Sequence, residues 1–396
     1  MQKRAVILTI SLLAGIWSGA FGWPQDAKPT QAKESGRTSA IDERTQRLLQ
    51  KNQPHIDRGL AWLAQQQKRD GHWEANEGHY PIAMTALAGL AFLAEGSTIR
   101  QGRYAENIDK AVDFLLTRVQ KKTGMIGNPN YQREQYRYMY GHGFATLFLS
   151  QVYGEESDEF RRRELEKVLT GAVDFIGKAQ TKLGGWGYLT AQEGQDFDEG
   201  SVTITQLQAL RAAKNAGIPV AHEIIEKAKE YLRKSTFIVR RETDPHKEEA
   251  AVVYSLQQRQ EMQRPPLTAA GIACMFSAGE YESDLAVKWL NYCQRMIPIS
   301  SSDNNDVFRQ WEYTHFYYAQ VLYTLGDDRH AKMRPDLPDD KLLKWSRYRE
   351  SIFDILIRKQ NADGSWSHNQ VGPVYTTALY LIMMQLDKGN VPIYQR

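Results

Sequence analysis

Cysteine is scarce in this chain of 396 residues, which contains only two. So low a count excludes a disulfide-stapled scaffold and any cysteine-rich zinc or iron–sulfur module. Charge of one sign is not in excess either, because 50 lysine and arginine residues balance 47 aspartate and glutamate residues, for a net charge of +3. Since nucleic-acid-binding proteins usually carry a basic excess, this balance argues against a nucleic-acid partner.

Several sequence signatures are also missing. The chain has no Gly-x-Ser-x-Gly nucleophile motif, no glycine-rich phosphate loop and no Cys-x-x-Gln thioester motif. Beyond residue 22, no run approaches the ~20 uncharged apolar residues of a membrane-spanning helix, so we expect no transmembrane span in the mature chain. What remains is an ordinary globular composition, 42% hydrophobic and 24% charged.

The N-terminus has the pattern of a secretory signal. Lys3 and Arg4 precede an uncharged apolar stretch from Ala5 to Ala20, and small residues follow where a signal peptidase cuts. This predicts a cleaved signal peptide over 1–22, a polar flexible leader over 23–44 and a periplasmic or secreted protein. The alternative is that the apolar segment stays uncleaved and anchors the protein to the membrane.

An internal repeat organises the rest of the chain. Three segments share the spelling Gln-x-x-x-Gly-x-Trp, and a fainter copy begins at Gln120 with Ile126 in the tryptophan position. Gln294 ends another helical run, and the spacing places a degenerate copy near Ser235. The spacing predicts six units of roughly 50–65 residues, typical of stacked supersecondary units. The full copies are Gln67, Gly71 and Trp73; Gln180, Gly184 and Trp186; and Gln360, Gly364 and Trp366.

Each unit is predicted to be a pair of helices. The helix before the glutamine is amphipathic, which indicates one face in water, whereas the helix after the turn is apolar all round, which indicates burial on every side. Glycines follow the apolar helices where a C-terminal cap is preferred. The clearest apolar helices are Ile82–Leu93, Tyr138–Tyr153, Leu267–Ala278 and Val374–Leu386, and the glycines are Gly96, Gly154, Gly217, Gly279, Gly326 and Gly389.

Two arrangements would bury the inner helices: an open superhelix or a closed ring. An open solenoid needs polar capping repeats at its ends, and none is evident here. Six pairs that each turn by about 60° would close, so we predict an all-α closed ring of six inner and six outer helices.

The Gln-x-x-x-Gly-x-Trp spelling in long helical repeats resembles the QW repeat of the terpenoid cyclase and protein prenyltransferase superfamily, which includes squalene cyclases. The resemblance implies an α6–α6 toroid, a double barrel of helices, over residues 45–396. In that family the glutamine and tryptophan tie the end of one helix to its neighbour. This is a structural role, and a fold does not by itself specify a function.

A cluster of acids precedes the third inner helix. Asp196, Asp198 and Glu199 form an Asp-x-Asp-Glu sequence, which resembles the Asp-x-Asp-Asp motif of class II terpenoid cyclases. Clustered carboxylates do not all ionise at low cost, so one retains a proton. The resemblance implies that Asp198 is the proton donor. The alternative is a helix N-terminus capped by acidic residues.

Aromatic residues begin several inner helices, where an isoprenoid or lipid-like ligand would meet π faces. If the inner helices run parallel, these side chains gather at one rim of the ring; the alternative is a packed core of large rings. The predicted ligand-binding residues are Tyr136, Tyr138, Tyr140, His142, Trp311, Tyr313, His315 and Tyr317, with Tyr80 and Tyr375 at the starts of inner helices one and six.

Metal chemistry is not expected. Glu312 to His315 resembles the histidine segment of zinc prenyltransferases, but no Asp-x-Cys precedes it. One ligand of three does not make a zinc site, so we predict no metal and no cofactor.

Three functions remain open. The first is an exported toroid that binds an apolar, isoprenoid or lipid-like ligand, or a protein partner, without standard catalysis. The second is a class II cyclase of the squalene type that uses Asp198 as general acid. The third is a protein-interaction scaffold with a filled core.

Overall fold

The computed structural model describes residues 43–128, 130–297, 310–367 and 370–395. The predicted signal peptide and nearly all of the predicted leader lie outside these residues. The chain divides into a short unit, Met1–Gln46, and a large unit, Arg47–Arg396. Within the described residues, no helix has both the length and the apolar character needed to cross a bilayer.

The described residues form thirteen α-helices and two short strands. The helices are α1 (Glu43–Gln65), α2 (Pro81–Glu95), α3 (Ala105–Thr117), α4 (Tyr138–Glu155), α5 (Glu159–Ala179), α6 (Gly200–Asn215), α7 (His222–Lys234), α8 (Pro265–Ser277), α9 (Asp284–Met296), α10 (Trp311–Leu325), α11 (Arg329–Met333), α12 (Trp345–Lys359) and α13 (Pro373–Met384). The strands are β1 (Thr236–Arg240) and β2 (Glu249–Val252).

Six apolar helices form a closed inner ring. Around it, α2 packs against α4, α4 against α6, α6 against α8, α8 against α10, α10 against α13, and α13 returns to α2. Nearly every residue of α2 is buried, as the absence of charge from Ile82–Leu93 predicts. The prediction of an α/α toroid is therefore confirmed.

Amphipathic helices surround this ring. Helices α3, α5, α9 and α12 pack on α2, α4, α8 and α10, and α7 packs on α6. In α5 the buried face includes Leu165, Leu169, Val173 and Ile176, each about one turn from the next, while charges cover the opposite face. The outer helices thereby shield the inner ring from water.

Each full Gln-Gly-Trp turn binds one outer helix to the next. The side-chain amide of Gln180 donates to the carbonyl oxygens of Gly184 (2.9 Å) and of Ile224 in α7 (3.0 Å). The indole N–H of Trp186 donates to Ile176 in α5 at 2.8 Å. The other two full copies repeat these bonds, from Gln67 to Asn107 and Gln360 to His55, and from Trp73 to Leu63 and Trp366 to Leu356.

Two sequence expectations need correction. The degenerate copy near Ser235 is an antiparallel pair, with Thr236 opposite Val252, so the protein is not wholly α-helical. Gly154 is not a cap, because α4 continues to Glu155. The other five glycines do have positive φ: Gly96, Gly217, Gly279 and Gly326 follow inner helices, and Gly389 follows a short 3-10 helix after α13.

Candidate functional site

The N-terminal ends of two inner helices, α4 and α6, meet at one carboxyl group, that of Glu199. Glu199 is the N-cap residue of α6 and is 1% exposed. Its Oε2 atom accepts hydrogen bonds from the backbone N–H of Val202 (2.9 Å) and from the hydroxyls of Ser201 and Tyr140 (3.3 Å for Tyr140). Tyr140 lies in the first turn of α4, so this contact joins two neighbouring inner helices.

Burial raises the pKa of the Glu199 carboxyl, although its hydrogen bonds with Ser201, Val202 and Tyr140 oppose the rise. Removal from water penalises the charged form of a carboxyl group more than these donors compensate. The neutral form of Glu199 is therefore more favoured than that of an exposed glutamate.

Tyrosine rings surround this carboxyl. The rings of Tyr140 and Tyr188 lie 5.8 Å apart, and the hydroxyls of Tyr188 and Tyr254 are hydrogen-bonded to each other. Burial is the main cause that raises the pKa of Tyr140, Tyr188 and Tyr254, and the charge of Glu199 adds to it. All three hydroxyls therefore stay protonated, and each side chain keeps partial exposure. Tyr375, near the start of α13, adds to the effect of burial that raises the pKa of Tyr313 and of Tyr317 in α10. We call these residues the tyrosine rim: Tyr140, Tyr188, Glu199, Tyr254, Tyr313, Tyr317 and Tyr375.

Helix α10 contributes the far side of the rim. The rings of Tyr313 and Tyr317 pack edge to face, with centroids 4.8 Å apart. Neither hydroxyl has a hydrogen-bond partner among the described residues, although both oxygen atoms are buried. Burial raises the pKa of both groups, with smaller contributions from Glu199. Since buried polar groups are normally hydrogen-bonded, these two hydroxyls are free to bind a ligand or a water molecule.

Asp198, the predicted proton donor, is hydrogen-bonded to residues outside the tyrosine rim. Asp198 is fully buried, and its Oδ1 atom accepts hydrogen bonds from the Tyr231 hydroxyl (2.9 Å) and the Leu256 N–H (2.7 Å). Tyr231 belongs to outer helix α7, so these bonds direct Asp198 toward α7 and the segment after β2. Asp196 accepts a 3.0 Å hydrogen bond from the backbone N–H of Lys182, which lies 14 positions earlier in the segment between α5 and α6. Of the three predicted acids, only Glu199 belongs to the tyrosine rim.

The residues predicted in and just before α4 also differ in their positions and partners. Tyr136 precedes the helix and is 71% exposed. The Tyr138 hydroxyl donates to Glu193 and accepts from the Thr190 N–H, so it holds the turn before α6. His142 accepts from Ile126 N–H at 3.0 Å and contacts the Ala172 carbonyl at 3.2 Å, which joins α4 to α5 and the preceding turn.

Among the predicted residues of α10, Tyr313 and Tyr317 join the site, whereas His315 pairs with outer helix α12. His315 Nδ1 lies 2.9 Å from the Tyr348 hydroxyl, and its ring packs 4.2 Å from that of Trp311. Burial lowers the pKa of His315 to about 3, so the ring stays neutral. It is a packing residue and does not face Glu199.

Sequence reasoning missed four residues of this region: Tyr188, Tyr254, Arg137 and Arg264. Tyr188 follows Trp186 by two positions, and a search for aromatics just after the repeat tryptophans would have found it. Tyr254 follows β2, whose position the repeat did not predict. The two arginines are the N-cap residues of α4 and α8, each just before an apolar run.

A small cavity of about 70 Å³ lies at the opposite end of the ring. The last residues of α6, α8 and α10 line it, together with residues 392–395 near the C-terminus. It is separate from the tyrosine rim, which the N-terminal ends of the same helices form.

Comparisons with known proteins identify the fold. No protein-family profile matches the sequence, and no curated protein does. A GH76A alpha-1,6-mannanase from Salegentibacter sp. has a similar structure, with a TM-score of 0.54 and 11% identity, over 84% of this chain and 97% of that one. A type II terpene cyclase from Scytonema, in complex with merosterolic acid A, has a TM-score of 0.54 and 13% identity, over 88% and 99%. A D-mannose isomerase has a TM-score of 0.55 and 11% identity, over 87% and 99%. These three proteins are α/α toroids with different activities. The structural similarity therefore shows that this chain is an α/α toroid, but it does not indicate an activity.

Proposed function

We propose that this toroid binds an apolar, isoprenoid or lipid-like ligand at the tyrosine rim. One observation carries the proposal: a buried carboxyl group with a raised pKa lies at the centre of tyrosine rings, at the mouth of a ring of apolar helices. Aromatic faces carry no net charge, and burial disfavours the charged form of the carboxyl, so an apolar molecule displaces water there at low cost. The unpartnered hydroxyls of Tyr313 and Tyr317 would bind a polar group of that ligand.

The rim fits an apolar ligand better than a glycoside. Glycoside hydrolysis by the usual route requires two carboxyl groups on opposite sides of the scissile bond. Glu199 is the carboxyl group that accepts a hydrogen bond from a rim tyrosine, whereas the Oδ1 atom of Asp198 is bound by Tyr231 and Leu256. A further buried carboxyl group, Glu312 at the start of α10, adds to the effect of burial that raises the pKa of Tyr375. Among the structural neighbours, the terpene cyclase therefore has the bound molecule most like the one we propose.

A second candidate function is proton-initiated cyclisation of a polyene, favoured by the raised pKa of the buried Glu199 carboxyl. The Glu199 O–H would transfer its proton to an alkene carbon and leave a carbocation, which the tyrosine faces stabilise. Loss of a proton from the cyclised cation would restore the acid, so the reaction is an isomerisation without an oxidant or reductant. Here we assign the acid role to Glu199 in place of Asp198.

Lipid extraction of the purified protein distinguishes these functions. We expect mass spectrometry to find an apolar lipid bound to the wild type, and the same lipid bound to Glu199→Gln, which keeps the shape of the side chain. A cyclised lipid in the wild type that is replaced by its linear precursor in Glu199→Gln would establish the cyclase. Glu164→Gln, on the exposed face of α5, is the matched control.

Absence of lipid from the wild type, together with no binding of added squalene, would overturn both candidates. It would leave the protein-interaction scaffold as the remaining function, with the tyrosine rim as a filled core.

We also propose that the protein is exported, with residues 1–22 as the signal. The charged start and the uncharged run from Ala5 to Ala20 support this proposal. N-terminal sequencing of the protein from the exported fraction tests it, and a first residue near position 23 is expected. An intact N-terminus in the membrane fraction would favour the anchored alternative, and an intact N-terminus in the cytoplasm would contradict export.

A further inference from the structure

Two arginines flank Glu199 at the ends of neighbouring inner helices. Arg137 is the N-cap residue of α4 and Arg264 that of α8, while Glu199 caps α6 between them. Ser, Thr, Asp and Asn are preferred at this position, and a cation faces the positive end of the helix dipole. Arginine in both places is thus unfavourable for the helices themselves, which indicates a different role.

Neither guanidinium is neutralised by the described part of the chain. No described carboxylate lies within ion-pairing distance of Arg137, which is exposed, or of Arg264, which is half-buried. By contrast, the half-buried Arg161 pairs with Asp109 at 2.9 Å and the buried Arg334 pairs with Asp336 at 2.8 Å. The Nε atom of Arg264 is also buried without a hydrogen-bond partner. A buried donor without a partner is costly, and an anion would supply one.

Both guanidiniums rest on the tyrosine rim. Arg137 stacks on the ring of Tyr188 and Arg264 on that of Tyr254, each 4.9 Å from the ring centroid. The two tyrosine hydroxyls are hydrogen-bonded, so one aromatic surface supports both cations. Burial raises the pKa of Tyr254, and the charges of Arg137 and Arg264 both oppose that rise, which places both guanidiniums close to this ring.

We infer that Arg137 and Arg264 form a binding site for the anionic head group, a carboxylate or a phosphate, of an amphiphilic ligand whose apolar chain enters the tyrosine rim. This inference rests on the proposed function, and it narrows the ligand class from apolar lipids to anionic amphiphiles. A planar guanidinium group can donate two hydrogen bonds to the paired oxygens of a carboxylate or a phosphate. Because both guanidinium groups stack on tyrosine rings, they lose little conformational entropy when they bind the anion.

A comparison of three probes with the same chain tests the inference: hexadecanol, palmitate and hexadecyl phosphate, below their aggregation concentrations. Binding is measured by calorimetry at low and at high salt. We expect the wild type to bind at least one anion about tenfold more tightly than the alcohol, as charge-assisted hydrogen bonds predict. Whichever of palmitate and hexadecyl phosphate binds more tightly identifies the head group. Because salt screens charges, added salt should reduce the difference in affinity between that anion and hexadecanol.

The test variant is Arg137→Gln combined with Arg264→Gln, which should lose the preference for the anion and keep the affinity for hexadecanol. Arg162→Gln is the matched control, because Arg162 stacks on Tyr153 at 5.3 Å at the other end of α4. Thermal unfolding confirms that each variant is folded. If the wild type binds hexadecanol and both anions equally, or if the double variant keeps its preference, the head-group site is refuted while the proposed function stands. If the wild type binds none of the three probes, the proposed function fails with it.

Discussion

The side-chain amide of Gln360 donates a hydrogen bond of 2.8 Å to the carbonyl oxygen of His55, 305 positions earlier in the chain. Arg58, one turn further along α1, donates to the carbonyl oxygen of the same Gln360 side chain at 2.7 Å. These bonds join the last repeat to the first outer helix. The repeat contact that elsewhere links neighbouring units thus also closes the outer ring.

Substitution of Gln360 by alanine should destabilise the protein more than the same substitution of Gln120. Gln120 donates only to Gly127 in its own turn, so its loss does not open a contact between units. We expect Gln360→Ala to lower the free energy of unfolding by about 2 kcal/mol and Gln120→Ala by about 1 kcal/mol or less, from the number of bonds lost. Urea unfolding followed by circular dichroism gives both values. Equal losses would show that ring closure contributes nothing beyond a local turn.

The repeat made the fold predictable from the sequence, because glutamine, glycine and tryptophan have a fixed role in each full copy. Trp73, Trp186 and Trp366 are completely buried and bond the preceding outer helix in the same way. The prediction of a further repeat unit was wrong where the motif is missing, because β1 and β2 lie in the segment after α7. Strand β2 packs on α8 and α9, and no local sequence pattern contains these contacts.

Replacement of Gly184 by alanine should be more damaging than replacement of Gly217. Both residues have φ above +90°, so both variants bear the cost of a left-handed backbone, about 1 kcal/mol. A Cβ atom on Gly184 would lie 2.3 Å from the Lys227 carbonyl oxygen in α7, whereas one on Gly217 would contact nothing within 4 Å. We expect a further loss of about 1–3 kcal/mol for Gly184→Ala from this clash. Thermal unfolding of both variants measures the difference, and similar melting temperatures would contradict it.

Asp198 should behave as a structural residue. Asp198→Ala removes the acceptor from the Tyr231 hydroxyl and the Leu256 N–H, both of which bind its Oδ1 atom, and should cost about 2–4 kcal/mol in unfolding free energy. Asp198→Asn keeps an acceptor oxygen and should cost less, with lipid binding unchanged. Chemical denaturation and lipid extraction of both variants test this. A folded Asp198→Asn protein that lacks only a cyclised product would instead restore Asp198 as the acid.

The acid cluster was found from the sequence, but the hydrogen-bond partners of each acid were not. Asp196, Asp198 and Glu199 stand within four positions, and which of them faces the ring depends on where the chain returns. Tyr231 and Leu256, 33 and 58 positions away from Asp198, supply its partners, whereas Tyr140, 59 positions from Glu199, supplies one of the donors to Glu199. The same limitation applies to Tyr138, whose partners Thr190 and Glu193 lie in the connection before α6, and to His142, which contacts Ala172 in α5.

The pH dependence of stability should contain a contribution from Glu134. This residue precedes α4, and burial raises its pKa to about 7, although the Asn128 N–H and the charge of Arg118 oppose the rise. Between pH 4.5 and pH 7 the unfolded chain has lost this proton while the folded protein retains it. The unfolded state therefore binds fewer protons, and the contribution of Glu134 to stability falls as the pH rises through this window.

The variant Glu134→Gln removes this titration. Its stability relative to the wild type should increase from pH 4.5 to pH 7 and then stay constant, with a total gain on the order of 3 kcal/mol. The buried histidines titrate in both proteins and cancel in the difference. Urea unfolding at half-unit pH intervals measures it, with Glu164→Gln, an exposed carboxyl on α5, as control. A difference between Glu134→Gln and the wild type that does not vary with pH would mean that Glu134 is charged in the folded protein, and its unpartnered Oε1 atom would then need a cation or water inside the fold.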